Sequence, residues 1–153
     1  MLGRIVSCLV LAWVVLAPRT SVAQGGEPFL QDSGAEGWLV VEAEHFHTAS
    51  PAVTKGPAQW EMTTSPRGFS GDGGMQIEPD GTGPWKVGSF QTEAPQLNFE
   101  FEATKTGTHY VWVRAHASST AKNSIHVGID GSPFASATKI QSPTSVSSYL
   151  WNS

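Results

Sequence analysis

The sequence predicts an all-β fold, an antiparallel β-sandwich of about seven or eight short strands. Residues 97–103 alternate apolar and polar side chains, which is the pattern of a strand with one buried and one solvated face. Turns rich in glycine, proline and serine recur about every 8 to 12 residues, as they do in sandwiches and barrels. No stretch keeps a sustained apolar period of about 3.6 residues, so we expect almost no helix.

The predicted elements alternate with turn chemistry along the chain. The strand candidates are residues 39–46, 59–63, 74–78, 85–91, 97–103, 108–117, 125–129 and 132–140. Residues 48–57 and 65–74 are predicted loops. Asp130-Gly131 is a strong hairpin signal, because both residue types tolerate positive φ. Aromatic and β-branched residues occupy both sides of 108–117, so we expect a central strand there with Trp112 in the core.

A secretory leader is predicted at residues 1–23. Arg4 precedes an apolar run over residues 5–17, and Ser21-Val22-Ala23 supplies the small residues that precede signal cleavage. The alternative is a membrane anchor, but the run is shorter than the roughly 20 residues that span a bilayer. We therefore expect a secreted or periplasmic protein that begins at Gln24 and does not associate with membrane after cleavage.

The remaining residues suit one domain. Residues 24–37 are rich in glycine and acids and are predicted to be a flexible lead-in, so the domain proper is expected at 38–153. Residues 151–153 follow a Ser/Thr-rich stretch and have the character of the beginning of an element. We therefore expect an incomplete sandwich that lacks its last strands. The sequence leaves open whether a catalytic domain follows in a longer chain.

Composition excludes several classes of function. Loss of Arg4 and Arg19 with the leader leaves seven basic and thirteen acidic residues, a net charge of −6 with neutral histidine. Such an acidic chain without a basic cluster is a poor candidate for nucleic acid or anionic membrane. The single cysteine lies in the leader, so no disulfide can form afterwards. Stability must come from the core, with a metal ion as the obvious additional source.

Glu42 and Glu44 are two residues apart on a predicted strand, so both carboxylates emerge on one otherwise apolar face. Two desolvated carboxylates repel one another and favour a cation between them. A hard cation with oxygen ligands fits this pair. Backbone carbonyls of the predicted loop 65–74, such as those of Phe69 and Gly71, would complete the coordination shell of the cation. The alternative is a pair of solvated acids at an exposed edge.

Catalysis is not expected from these or other residues. Paired carboxylates hydrolyse glycosidic bonds when they flank the sugar, whereas Glu42 and Glu44 point the same way from one strand. His45 and His47 share a strand face, but no third metal ligand accompanies them at a recognisable spacing, so polar strand positions are the favoured interpretation. No nucleophile motif occurs in the sequence.

Four segments, taken in order, resemble the carbohydrate-binding modules of families 6 and 35. They are residues 41–44 (VEAE), 68–75 (GFSGDGGM), 107–114 (GTHYVWVR) and 124–131 (SIHVGIDG). The resemblance runs from about Trp38 to Trp151 and implies a galactose-binding-like jelly roll that binds glycans without catalysis. It also implies a structural calcium held by the two glutamates and loop carbonyls. Family members add a C-terminal aspartate ligand, which has no counterpart here.

Tryptophans and polar neighbours supply the candidate sugar site. An indole offers a flat apolar face to a sugar ring while polar groups bond the hydroxyls. Trp151 is the first candidate, because the resembling modules place an aromatic residue near that point, and Trp60 is the next. Arg114 and Asn123 are candidate polar contacts, and the guanidinium suits the carboxylate of a uronic acid. Packing in the core is the alternative for each of these residues.

The sequence therefore predicts a secreted, non-catalytic carbohydrate-binding module with one calcium ion. Its partner would be a polysaccharide or oligosaccharide, and its role would be to hold an enzyme or a cell surface beside that polymer. Two other functions stay open. One is a structural or adhesion domain with the same fold and no sugar site. The other is a glycoside hydrolase or polysaccharide lyase that uses the glutamate pair.

Overall fold

The computed structural model describes residues 5–8, 22–23, 25–83, 85, 89–117, 119–133, 139–141 and 145–153. Most regular structure in these residues is strand, which confirms the predicted all-β class. Within the same residues, helix is confined to a 3-10 turn at Ala43–His45 and a short α-helix, α1, at Phe90–Glu93. No helix of this part of the chain is long and apolar enough to cross a membrane.

The strands form one larger sheet and several two-stranded ribbons. They are β1 (Ile5–Cys8), β2 (Val22–Ala23), β3 (Phe29–Leu30), β4 (Thr48–Ser50), β5 (Gln59–Thr63), β6 (Gly74–Glu78), β7 (Gln96–Glu102), β8 (Val113–Ala117), β9 (Ser124–Ile125), β10 (Gly128–Ile129), β11 (Ser132–Pro133), β12 (Ile140–Gln141) and β13 (Ser145–Asn152).

Strand β7 organises the larger sheet, whose order is β1-β7-β4-β2 with β3 also paired to β7. Strands β1 and β4 run antiparallel to β7, and β3 runs parallel to it. The alternation predicted at 97–103 is confirmed toward the strand end, where Phe99 and Phe101 are half-buried and Glu100 and Glu102 are exposed. Burial of one face thus fixes the register of this strand.

Two further pairs position the candidate site. Strands β5 and β6 match the two strands predicted at 59–63 and 74–78, and the structure pairs them as an antiparallel hairpin with Thr63 opposite Gly74. Residues 64–73 connect them and are named the glycine loop below. Strands β8 and β13 form the second pair, with Arg114 opposite Trp151. The hairpin predicted at Asp130-Gly131 is also confirmed, since both residues have positive φ and join β10 to β11.

Burial in the described residues is shared between apolar and polar side chains. The buried apolar residues are Phe46, Ala58, Phe90, Ala117, Val127 and Ile140. The buried polar residues are Gln31, Glu44, His47, Gln96 and Asn123. Buried polar groups are costly unless they are bonded. The Gln31 amide accordingly donates to Gly37 O and accepts from the N–H groups of Thr104 and Lys105.

The strand predicted at residues 39–46 was wrong. Residues 39–42 have no regular structure, and Ala43–His45 form the 3-10 turn between an extended Glu42 and an extended Phe46. Strand pairing begins instead at Thr48, inside the predicted loop, where β4 joins β7. The alternation of apolar and acidic residues over 39–46 is typical of a strand. A short turn is compatible with the same pattern when the acidic side chains bond to partners elsewhere in the chain.

Three other predicted elements differ in extent. Only Val113–Ala117 of the predicted strand 108–117 pairs, and Trp112 is 54% exposed, so its assignment to the core was wrong. Residues 90 and 91 of the predicted strand 85–91 belong to α1, while 86–88 lie outside the described residues. The Ser/Thr-rich stretch before Trp151 forms β13. Of the predicted strand 132–140, residues 134–138 are likewise outside the described ones.

Candidate functional site

The glycine loop contacts two groups of side chains that come from distant parts of the chain. Glu42 and Glu44 bond to its residues 70, 72 and 73, which we call its carboxylate side. Arg114 and Tyr149 bond to its residues 66, 68 and 70, which we call its aromatic side. Its hairpin origin explains this position, because strands β5 and β6 fix both of its ends. The loop is therefore the structural centre of the candidate site.

Glu44 is buried, with only 5% of its surface exposed. Its Oε1 accepts hydrogen bonds from the backbone N–H of Asp72 at 2.9 Å and of Gly73 at 3.3 Å. Its Oε2 is buried and has no partner in the structure. A buried carboxylate oxygen without a partner is costly, so this atom calls for a donor or a cation.

Gly71 is required where the two carboxylates meet the loop. Its φ is +67°, a region that side-chain-bearing residues rarely adopt. A Cβ at this position would clash with Glu44 Oε1 and would lie 3.2 Å from Glu42 Cγ. Both glutamates thus lie against one glycine, Glu44 from the 3-10 turn and Glu42 from the extended residue before it, and not from a strand face.

Ser70 connects the two sides of the loop. Its hydroxyl donates to Glu42 Oε2 at 3.1 Å, and Arg114 Nη1 donates to the same hydroxyl at 3.5 Å. Neither Glu42 nor Glu44 forms an ion pair with a side chain in the described part of the structure. Ser70 therefore links the Glu42 carboxylate to the Arg114 guanidinium.

Arg114 and Tyr149 hold the other side of the loop. Arg114 Nη2 donates to the carbonyl of Gly68 at 2.8 Å, and its guanidinium lies 5.6 Å from the centroid of the Tyr149 ring. The Tyr149 hydroxyl donates to the carbonyl of Pro66 at 3.3 Å, and Phe69 meets its ring edge to face. Burial raises the pKa of the Tyr149 hydroxyl, and Arg114 partly opposes that rise.

One face of the β8–β13 pair carries a row of large side chains. Residues opposite one another in an antiparallel pair share a face, as do residues two apart on a strand. Trp151 lies opposite Arg114, and the Tyr149 ring contacts both Arg114 and His116 on that face. We name Trp112, Arg114, His116, Tyr149 and Trp151 the aromatic face. Its two indoles are 54% and 59% exposed, respectively.

The other two predicted sugar contacts are positioned differently. Trp60 lies on β5, is half-buried, and donates from its indole nitrogen to the carbonyl of Pro95 at 3.0 Å. Asn123 is 7% exposed and accepts a hydrogen bond from Gln141 at 3.4 Å. Both polar groups are thus used within the protein. Of the four predicted contacts, the structure brings together Arg114 and Trp151.

His45 and His47 do not form a metal site between them. His47 is buried, and its Nδ1 accepts from the N–H of Glu100 at 3.1 Å. Because an amide can only donate, the proton lies on Nε2, which donates to the carbonyl of Glu27 at 3.2 Å. His45 is exposed, and both rings line a cavity of about 230 Å³ beneath residues 25–29. Both nitrogens of His47 therefore have structural partners.

The sequence did not predict every residue of the site. Trp112 was assigned to the core, and no site role was predicted for Ser70, His116 or Tyr149. A signal for Trp112 was present, since residues 110–117 alternate Tyr, Trp, Arg and His with Val, Val, Ala and Ala. In this alternation Tyr110 and Trp112 are exposed, whereas Val111 and Val113 are half-buried and Ala117 is 2% exposed. The bonds of Ser70 and Tyr149 join residues at least 28 positions apart, so no local pattern could indicate them.

The described residues contain no group of three or more His, Cys, Asp or Glu side chains that could hold a metal ion. Any cation beside the two glutamates would therefore need oxygens from the backbone, from Ser70 or from solvent. Comparison of the chain with protein-family models, with curated proteins and with solved structures finds no match.

Proposed function

We propose that this chain is a non-catalytic carbohydrate-binding module with a sandwich fold of the galactose-binding-like, jelly-roll kind. The aromatic face carries the proposal, because two exposed indoles lie beside a guanidinium that the glycine loop holds in place. A sugar ring stacks its C–H groups on such a flat apolar surface, and fixed polar groups bond its hydroxyls. The ordered segments that resemble family 6 and 35 modules support the same function.

The surroundings of the glutamates support a binding role over a catalytic one. A glycosidase needs one carboxylate on each side of the scissile bond. Here Glu44 is buried and bonded to two backbone N–H groups, and Glu42 is bonded to Ser70. Both carboxylates anchor the glycine loop, which gives them a structural task.

Calcium is the cation that this pair would hold. Hard oxygen donors suit it, and the partnerless Glu44 Oε2 beside Glu42 is where such a charge would compensate desolvation. Ser70 and backbone carbonyls of the loop, among them those of Phe69 and Gly71, are the further donors we propose. Bound calcium would fix the loop that in turn positions Arg114.

The biological role follows from binding without turnover. An exported module of this kind would keep a degradative enzyme, or a cell surface, next to its polysaccharide. Stacking on an open face with a few hydrogen bonds gives modest affinity, because much of the ligand stays in solvent. A catalytic domain in a longer chain would be the natural partner within one polypeptide.

Isothermal titration of the full chain against a panel of glycans tests this function. We expect binding to at least one glycan and a loss of about tenfold or more in affinity in Trp151→Ala, which removes a stacking surface. Trp38→Ala is the matched control, because Trp38 is 62% exposed on another segment. Its affinity should equal that of the unaltered protein.

The other outcomes identify the competing functions. A folded chain that gives no heat with any glycan would be a structural or adhesion domain. Release of reducing ends or unsaturated products from a polysaccharide, abolished in Glu42→Gln, would make it a hydrolase or lyase. Equal loss of affinity in Trp38→Ala and Trp151→Ala would mean that sugar binding does not depend specifically on the aromatic face.

A further inference from the structure

Trp112 and Trp151 are placed to act on one ligand together. Trp112 immediately precedes β8 and lies two residues before Arg114, the residue opposite Trp151. Diagonal neighbours of this kind have their Cα atoms about 7–8 Å apart in an antiparallel pair. Both indoles are more than half exposed, so both offer aromatic surface to a ligand near Arg114.

Arg114 supplies the polar group next to these indoles. A guanidinium has five N–H donors, and the structure uses one for the Gly68 carbonyl and one for the Ser70 hydroxyl. The described residues place no carboxylate in an ion pair with it. The remaining donors are held in a fixed position, where sugar hydroxyl oxygens would accept from them.

Resting on the proposed function, we infer that the aromatic face binds the interior of a linear glycan chain, with Trp112 and Trp151 stacking on successive sugar residues. A single sugar would use one indole only, whereas two exposed indoles select an extended ligand. Trp112 is thus a specificity-determining residue for chain length.

The size of the surface favours a glycan over a protein partner. Aromatic side chains bury about 150–250 Å² each, so two half-exposed indoles offer on the order of 200–300 Å². A stable protein interface needs about 800 Å² on each partner. Two indoles alone therefore fall well short of a protein interface, and they suit a narrow ligand that crosses the face.

Titration with oligosaccharides of increasing length tests the inference. The probes are cello-, xylo- and galacto-oligosaccharide series, each from the monosaccharide to the hexasaccharide. We expect affinity to rise at least tenfold between the monosaccharide and the tetrasaccharide in the series that binds. Trp112→Ala should remove that rise, and Trp38→Ala should keep the full length dependence.

Each other result overturns the inference in an identifiable way. A monosaccharide that binds as tightly as the hexasaccharide would leave the proposed function intact, but it would reject stacking of Trp112 and Trp151 on successive sugar residues. A Trp112→Ala variant with unchanged length dependence does the same. No binding by a chain with a cooperative melt rejects both proposals. A dimer in sedimentation velocity that becomes a monomer in Trp112→Ala would assign the face to a second copy.

Discussion

The two sides of the glycine loop bind side chains of opposite charge. Backbone N–H groups of the loop bond to a carboxylate on one side, and a backbone carbonyl bonds to a guanidinium on the other. On the carboxylate side, Glu44 accepts from the N–H groups of Asp72 and Gly73 and is buried. On the aromatic side, Arg114 donates to the carbonyl of Gly68 and lies on an exposed face. The same ten residues thus anchor an anion and a cation, because successive peptide groups can turn donors one way and acceptors the other.

The difference between the sides is one of burial. Contacts of buried charged groups are worth more than those of exposed groups, because solvent does not compete for them. We therefore expect the stability of the loop to depend chiefly on the carboxylate side, and its ligand binding to depend on the aromatic side. The following measurements compare what each side contributes to stability.

Gly71→Ala should have the largest effect on stability. The new Cβ clashes with Glu44 at a positive φ, so we expect a loss of about 3 kcal/mol or more in the free energy of unfolding. Gly81→Ala is the matched control, since its φ is +87° with no atom within 4 Å, and it should lose about 1–2 kcal/mol. Urea unfolding measures both values. Equal losses would mean that the carboxylates do not constrain the loop.

Calcium should have the next largest effect. At about 100 times its Kd, a bound ion adds about 2.7 kcal/mol, which corresponds to a rise in Tm of roughly 5–10 °C over EDTA. The rise should disappear in Glu42→Gln and in Glu44→Gln. It should persist in Glu61→Gln, because Glu61 is exposed on β5 and bonded to Gln59. The same Tm with calcium and with EDTA in the unaltered chain would reject the cation site.

Tyr149→Phe should have the smallest effect. It removes one exposed hydrogen bond of 3.3 Å to Pro66 and keeps the ring beside Arg114 and Phe69, so we expect a loss below about 1 kcal/mol. Tyr149→Ala removes the ring as well and should lose more. Calorimetric melts of the two variants measure the difference. A larger loss in Tyr149→Phe than in Gly71→Ala would reverse the comparison between the two sides.

Local sequence patterns placed the two glutamates together correctly, but the strand on which that prediction depended is absent from residues 39–46. Glu42 and Glu44 were expected together because a strand would align them, and they meet at Gly71 from a 3-10 turn and the residue before it. Their spacing is compatible with both backbones. In the turn, Glu44 accepts from N–H donors of the glycine loop, 28 residues away, and a local pattern does not contain these donors.

The sequence by itself determined the all-β class, the strands β5, β6 and β7, and the hairpin at Asp130-Gly131. These depend on alternation and turn chemistry within a few residues, where backbone preference and solvent exposure act directly. Tertiary structure decided that Trp112 is exposed, that Arg114 lies opposite Trp151, and that one loop contacts both the carboxylates and the aromatic face. Strand register and partner choice decide such features, because they depend on which distant segments lose their solvent together.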